Sequence, residues 1–387
     1  MSEATPLLEL GAIVEQVRAA RTRGTPARIV GAGTWLGGGR PVAASERIDV
    51  GDHTGIVTYE PGDLTLTARA GTSLADIERA TAEHGQWLPL QPMGAQSGTL
   101  GATVSTASAG PLAAAFGTAR DQVLGCEFVS GTGDVVRAGG RVVKNVAGFD
   151  LVRLVTGAWG TLGVLTELTV RLRARPEDDH TLAVAHATMG RAESAAAAWT
   201  WLRASEYTPL AAEMISASLA RVLGIGDDAC LMVRLGGNST FVRAATSDLA
   251  SLGDARRLGG EVWGQLATAE PAHAIVVRLS TVPSRIGALW SRASLVADRA
   301  GGFANATVSR GIVRCVLPVP SDTAAAAMMR ELLTDLGEGC TAVGERLPGD
   351  LWSLFDRPAG TDALTRGVRM AFDPDRIMNT GILGGTL

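Results

Sequence analysis

The residues that could do chemistry here are first of all glycines. Arg28-Ile29-Val30 reads as a short strand that delivers its end into Gly31-Ala32-Gly33-Thr34, a strand feeding a glycine loop. Residues without side chains let consecutive backbone N–H groups approach an anion and adopt positive φ, which is the chemistry of a phosphate cradle. A plain tight turn between two strands is the alternative reading. Two common phosphate motifs are excluded. A GxGxxG fingerprint needs its third glycine at position 36, where Leu36 stands, and a Walker loop needs a lysine after its last glycine, whereas the only lysine of the chain is Lys144, far downstream.

A second small-residue passage runs from Pro92-Met93-Gly94 through Gly98-Thr99-Leu100-Gly101-Ala102-Thr103-Val104-Ser105 to Phe116-Gly117-Thr118-Ala119-Arg120-Asp121. Extended backbone of this composition lies well against a large flat ligand. Thr99, Ser105 and Thr118 add hydroxyls, and an Arg120–Asp121 pair would fix the loop. Irregular segments of such length are uncommon in compact domains unless functional. Arg278 and Arg310 could each grip a carboxylate bidentately, with exposed surface arginines as the plainer reading. With Asn305 they are the catalytic candidates, and no catalytic base is identified. Lys144 is read as a phosphate, ribose or partner contact, or as an exposed charge at a strand end. The cysteines at 126, 230, 315 and 340 are too dispersed for a zinc or iron–sulfur cluster, and the five histidines form no HxH or HxxxH pair, so no metal site is expected.

Strands are expected at Val123–Ser130 and Val135–Ala138, with Leu64–Ala70 and Gly163–Arg173 alternating as half-buried strands do. A helix follows Thr72 or Ser73, showing Leu74, Ile77 and Thr81 on one face and ending at Gly85. Pro176 and Glu177-Asp178-Asp179 read as a solvated linker. Beyond it helices at 193–204, 240–252, 284–300 and 322–336 alternate with short strands at 230–235, 275–280 and 312–316.

The chain has 387 residues, 46% hydrophobic and 19% charged, with a formal charge of −4, so it reads as a multi-domain globular protein without a nucleic-acid surface. Its 48 glycines interleave with apolar segments, a turn-rich rather than disordered texture. Residues 1–10 lack the basic and apolar blocks of a signal peptide, and no apolar run is long enough to span a membrane. A cytoplasmic location is expected.

Three of these segments, Gly31-Ala32-Gly33-Thr34, Gly98-Thr99-Leu100-Gly101-Ala102 and Phe116-Gly117-Thr118-Ala119-Arg120-Asp121, together with Gly157-Ala158-Trp159-Gly160-Thr161-Leu162-Gly163-Val164, resemble the PCMH-type FAD-binding fold of the vanillyl-alcohol-oxidase family. More narrowly, Gly140-Arg141-Val142-Val143-Lys144-Asn145-Val146-Ala147-Gly148-Phe149-Asp150-Leu151 is similar to the signature of the FAD-binding subunits of bacterial glycolate oxidase, and Ala371-Phe372-Asp373-Pro374-Asp375-Arg376-Ile377-Met378-Asn379-Thr380-Gly381 to that family's closing motif.

The resemblance implies an α+β chain: a two-subdomain PCMH-type FAD-binding fold at 1–176, an α+β cap domain at 177–345, and a segment at 346–387 returning to the FAD domain. It implies that Gly31, Ala32, Gly33 and Thr34, with Thr99, Gly101, Ala102 and Ser105, hold the pyrophosphate. Pro92, Gly94, Gly117, Thr118, Arg120, Asp121, Gly160 and Gly163 complete the cofactor site, Val143, Lys144 and Val164 lie toward adenine and ribose, and Asn379 lies near the flavin ring. No histidine occurs between 28 and 52, so FAD is expected to be non-covalent. The implied activity is oxidation of a small 2-hydroxy acid to the 2-oxo acid, electrons leaving FAD for a partner. The implied partners are a second flavin subunit and an iron–sulfur subunit, through which the chain would meet a membrane peripherally. Phe303 stands where glycolate oxidase FAD subunits often carry histidine, which sets independent dehydrogenase activity in question. A stand-alone FAD oxidase and a flavin-free scaffold are the alternatives; the intact glycine segments speak against the scaffold.

Overall fold

The computed structural model describes residues 4–140, 149–185, 192–319, 322–355 and 363–384. Helix α1 (Ala4–Arg23) precedes β1 (Ala27–Val30) and β2 (Glu46–Asp49), which pair in parallel. Then come β3 (Ile56–Glu60), β4 (Thr65–Arg69), β5 (Gln86–Trp87), β6 (Val123–Val129), β7 (Val135–Gly139), β8 (Val164–Arg171) and β9 (Arg173–Ala174). Five of them form an antiparallel sheet in the order β3-β4-β8-β6-β7, while β5 pairs with β9. Leu66, Phe128, Leu168 and Val170 are the centre of its core. β4 is buried on both faces rather than half-buried, because the Thr67 hydroxyl finds the Thr169 hydroxyl of β8 at 2.9 Å and so satisfies its polar group inside.

Helix α2 (Leu74–Ala82) starts where expected, the Ser73 hydroxyl accepting the Asp76 N–H at 3.0 Å. The passage from Pro92 to Gly117 is less irregular than its composition suggests, since it holds α3 (Leu100–Thr106) and α4 (Ala113–Phe116), followed by α5 (Ala119–Gln122) and, later, α6 (Leu151–Val155). Hydroxyls explain α3. Thr99 caps it by accepting the Ala102 N–H at 3.2 Å, and Thr103 and Thr106 donate to carbonyls one turn back at 3.0 and 2.8 Å. Leu100 and Val104, one turn apart, then bury against the sheet.

The remaining strands are β10 (Asp178–Ala185), β11 (Ala211–Ile215), β12 (Cys230–Gly237), β13 (Asp254–Leu258), β14 (Ile275–Ser280), β15 (Phe303–Thr307), β16 (Ile312–Leu317) and β17 (Thr341–Arg346). They form one eight-stranded sheet, β13-β10-β12-β11-β15-β16-β14-β17. Asp178 and Asp179, expected in a linker, open β10, because the Arg234 guanidinium on β12 donates to Asp179 at 2.6 and 2.9 Å and neutralises it in the ladder. Four helices, α7 (Ala192–Ala204), α9 (Ser239–Leu249), α11 (Ile286–Ala300) and α12 (Asp322–Leu333), cover one face around Trp290, while α8 (Ala217–Val222) and α10 (Val262–Thr268) cover part of the other. After α13 (Ala363–Phe372) the chain runs back beside β1, where the Ala27 N–H donates to the Ile377 carbonyl at 2.7 Å and the Asn379 N–H to the Ala27 carbonyl at 3.0 Å. Among the described residues no helix is long and apolar enough to cross a membrane.

Candidate functional site

Two clefts lie side by side and share Trp35, Thr106 and Trp159 as walls. The first is made almost entirely of backbone and small side chains: Gly31, Ala32, Gly33, Thr34, Thr99, Gly101, Ala102, Ser105, Gly160, Gly163 and Asn379 all line it. Among the described residues, none of the backbone N–H groups from Gly31 to Thr34 meets an acceptor of the chain, so a row of donors faces an open space. Gly33, at φ +74°, turns that row in a region where a side chain costs strain. A Cβ on Gly31 would stand 2.7 Å from the Thr99 hydroxyl, and one on Gly101 would stand 2.7 Å from the Ala70 Cβ. Such a nest takes a phosphate or pyrophosphate.

Asn379 braces the same wall. It sits at φ +42°, a conformation asparagine tolerates, accepts the Ile29 N–H through Oδ1 at 2.9 Å and donates from Nδ2 to the Trp159 carbonyl at 2.7 Å. It thereby ties the C-terminal segment to β1 and to the loop before β8. Gly160 follows at φ +70°, where a Cβ would lie 2.7 Å from Asn379 Nδ2.

The other expected cofactor residues fall elsewhere. Thr118 lines the second cleft, while Pro92, Gly94, Gly117, Arg120, Asp121 and Val164 line neither. Asp121 does not fix the loop through Arg120. Its carboxylate instead accepts the Thr118 N–H at 2.8 Å and the Thr118 hydroxyl at 3.0 Å, capping α5. Val164 is fully buried in β8, flanked by the cleft residues Gly163 and Leu165. Val143 and Lys144 lie outside the described residues.

Trp35 and Trp159, which sequence reasoning missed, face each other with ring centres 5.9 Å apart between the two clefts. A signal existed in the run Gly37-Gly38-Gly39, because a Cβ on Gly38 would stand 2.6 Å from the Trp35 ring, so this glycine leaves the space that the indole needs.

The second cleft is made of charged side chains on one face of the eight-stranded sheet. Strand alternation sends Met214, Ala304, Ala306, Val277, Val313 and Cys315 to the helix-covered core. The same alternation sends Glu213, Asn305, Thr307, Arg278, Arg314 and Glu345 to the opposite face, in register: Glu213 opposite Thr307, Asn305 opposite Arg314, and Arg314 opposite Arg278. Two arginines facing each other repel unless bridged. Glu345 bridges them, accepting from Arg278 Nε at 2.8 Å and from Arg314 Nη1, while Glu270 accepts from Arg314 Nε. Burial pushes the Glu345 carboxyl up, yet Arg314 and Arg278 outweigh it and hold it below the usual carboxylate range.

Arg310 is different. It lines the cleft half-buried, and among the described residues no carboxylate pairs with it. Burial and the neighbouring Arg278 lower its pKa, opposed by Glu213 and Asp121. Behind the cleft wall lies Glu213, fully buried, its Oε2 accepting Asn305 Nδ2 at 2.8 Å. Desolvation pushes its carboxyl up to about 7, against the pull of Thr307, Asn305, Arg310 and Arg314. All three catalytic candidates, Arg278, Asn305 and Arg310, thus meet in one cleft, joined by Glu213, Arg314 and Glu345, which the sequence did not single out. Among the described residues no histidine lines either cleft, and Phe303 is buried in the apolar cluster under α8 and α10.

The chain matches the family model described as an FAD binding domain over residues 10–139. It is similar to glycolate oxidase subunit GlcE of Escherichia coli strain K12, 36% identical over 256 residues that cover 66% of this chain and 67% of that one. Glycolate oxidase subunit GlcD of Bacillus subtilis strain 168 is 38% identical over 127 residues, 33% of this chain and 27% of that protein. Among solved structures, alkyldihydroxyacetonephosphate synthase superposes with a TM-score of 0.68 at 18% identity, over 95% of this chain and 75% of that one, a likeness of fold.

Proposed function

The chain belongs to the FAD-dependent oxidoreductase family of the glycolate oxidase subunit GlcE, and from that premise we propose that it is the FAD-binding subunit of a glycolate-oxidase-like complex that oxidises a small 2-hydroxy acid to the 2-oxo acid. The observation that carries the proposal is the guanidinium of Arg310, without a carboxylate partner among the described residues, in a cleft that shares a wall with the glycine nest.

The free N–H groups of Gly31 to Thr34 hold the pyrophosphate of FAD, and the small residues Gly101, Ala102, Ser105 and Gly160 leave room for the rest of it along the first cleft. Bound there, FAD supplies a two-electron acceptor for the hydride on the substrate's C2. Among the described residues no histidine lines that wall, in keeping with a cofactor held without a covalent link to histidine. Arg310 takes the substrate carboxylate, Arg278 adds positive potential behind it, and the Trp35–Trp159 pair closes the boundary between the clefts. Cys126, Cys230 and Cys315 are buried on separate strands, which speaks against an internal relay and for a partner or oxygen as acceptor; we take it to be a partner, with a second flavin subunit and an iron–sulfur subunit in a cytoplasmic complex.

The test is anaerobic addition of glycolate and D-lactate to the FAD-loaded protein co-purified with its partners. The flavin bands are expected to bleach, and to persist in an Arg310→Met variant that keeps its FAD. Bands that persist with every 2-hydroxy acid, or a variant that bleaches as fast as the parent, would overturn the proposal.

A further inference from the structure

Glu213 is a buried carboxyl for which the proposed chemistry has no use. It has no exposed surface, yet it sits one residue behind the wall of the second cleft. Asn305 and Thr307, both lining that cleft, are its screen. Two buried oxygens in this cluster, Glu213 Oε1 and Asn305 Oδ1, have no hydrogen-bond partner among the described residues. Unsatisfied buried acceptors are costly, whereas a proton on Glu213 turns one of them into a donor. Ionised, Glu213 instead places a negative charge behind Asn305 with Arg310 as its available counter-charge.

The charges around it narrow the alternatives. Arg314 also acts on Glu213, but it is bound by Glu270 and Glu345, and Arg278 is bound by Glu345. Asp121, the capping residue of α5, also acts on the charge of Arg310. β12 places Met232 opposite Glu213, and the short helix α4 packed against β11 carries no charged residue. Of the two arginines that act on Glu213, Arg310 is the one that, among the described residues, has no carboxylate partner.

We infer that Glu213 is a positioning residue that couples proton uptake to anion binding: a carboxylate docking on Arg310 is accompanied by protonation of Glu213, and an ionised Glu213 competes with that carboxylate for Arg310. The inference rests on the proposed reading of this cleft as the 2-hydroxy acid site. It gives Glu213 no contact with the substrate. By linkage the effect is reciprocal: whatever factor separates anion affinity for the two protonation states also separates the proton affinities with and without anion.

The test uses the FAD-loaded full chain and oxamate, an unreactive monoanion, with binding followed by perturbation of the flavin spectrum and proton uptake by calorimetry in two buffers. For a tenfold coupling, oxamate affinity should weaken by about fivefold between about pH 6 and about pH 8, with a fraction of a proton taken up near neutrality. Glu213→Gln keeps an acceptor for Asn305 and cannot ionise. Its affinity should stay flat with pH at the parent's low-pH value, without proton uptake. Oxamate binding that is flat with pH in the parent, or that varies identically in Glu213→Gln, would overturn the coupling while leaving the cleft's assignment intact. Oxamate that does not bind, or that binds Arg310→Met equally well, would overturn that assignment and the coupling with it.

Discussion

The two clefts solve the problem of holding an anion by opposite means. The glycine cleft uses backbone N–H groups left free by a turn at Gly33, so its recognition resides in main chain and its side chains matter by being absent. The charged cleft uses guanidinium groups at a sheet face, each paired with a carboxylate except, among the described residues, Arg310. A site made of backbone is cheap to keep folded and intolerant of added atoms. A site made of buried ions is the reverse, since its stability depends on every partner being present.

That contrast breaks most visibly at Arg314. Arg314→Leu leaves Glu270 and Glu345 buried without their cation and should destabilise the chain by about 3–5 kcal/mol in urea unfolding. A loss below about 1 kcal/mol would mean the cluster is hydrated rather than dry.

The next effect is pH-dependent and belongs to Glu213. Its carboxyl titrates near 7 when folded and at about 4.3 when unfolded, so between those values the native state holds the extra proton. Stability therefore falls as pH rises through that window, by at most about 1.4 kcal/mol per pH unit, and levels off above it. Glu213→Gln should remove this slope, as read from unfolding midpoints at successive pH values.

On the glycine side the expected losses are of cofactor more than of fold. Gly160→Val places a branched side chain at φ +70° against Asn379 and Ile29, a strain of about 1–3 kcal/mol, and should lower FAD retained on purification by about tenfold or more. Gly33→Ala is the mildest, because its Cβ meets only Leu36, at 3.7 Å. It should cost about 1 kcal/mol through φ alone and weaken FAD by a comparable amount in fluorescence titration.

The same contrast explains what the sequence disclosed. The glycine cleft was legible because a backbone site writes itself as local runs, Gly31 to Thr34 and Gly98 to Gly101, and because the family resemblance lies in those runs. Its indoles were not, since Trp35 and Trp159 meet only across the fold. In the charged cleft Arg278, Asn305 and Arg310 could be named singly, but their grouping is a matter of register between β14, β15 and β16, which one sequence does not encode locally. Glu213 was hidden in a short strand that read as nothing in particular. Helix α3 was masked by threonines and glycines, poor helix formers whose hydroxyl caps become visible only once Thr99 is placed. Asp178 and Asp179 looked like a linker because their neutralising partner, Arg234, lies more than fifty residues away in sequence.

The central claim is that the glycine nest holds FAD, and the most direct measurement is the visible spectrum of the purified full chain after reconstitution with FAD and gel filtration, beside Gly160→Val treated identically. The expected result is flavin bands at about one FAD per chain in the parent, released into the supernatant on acid precipitation, and bands largely lost in the variant. A parent that retains no flavin, or a variant that retains as much as the parent, would contradict it.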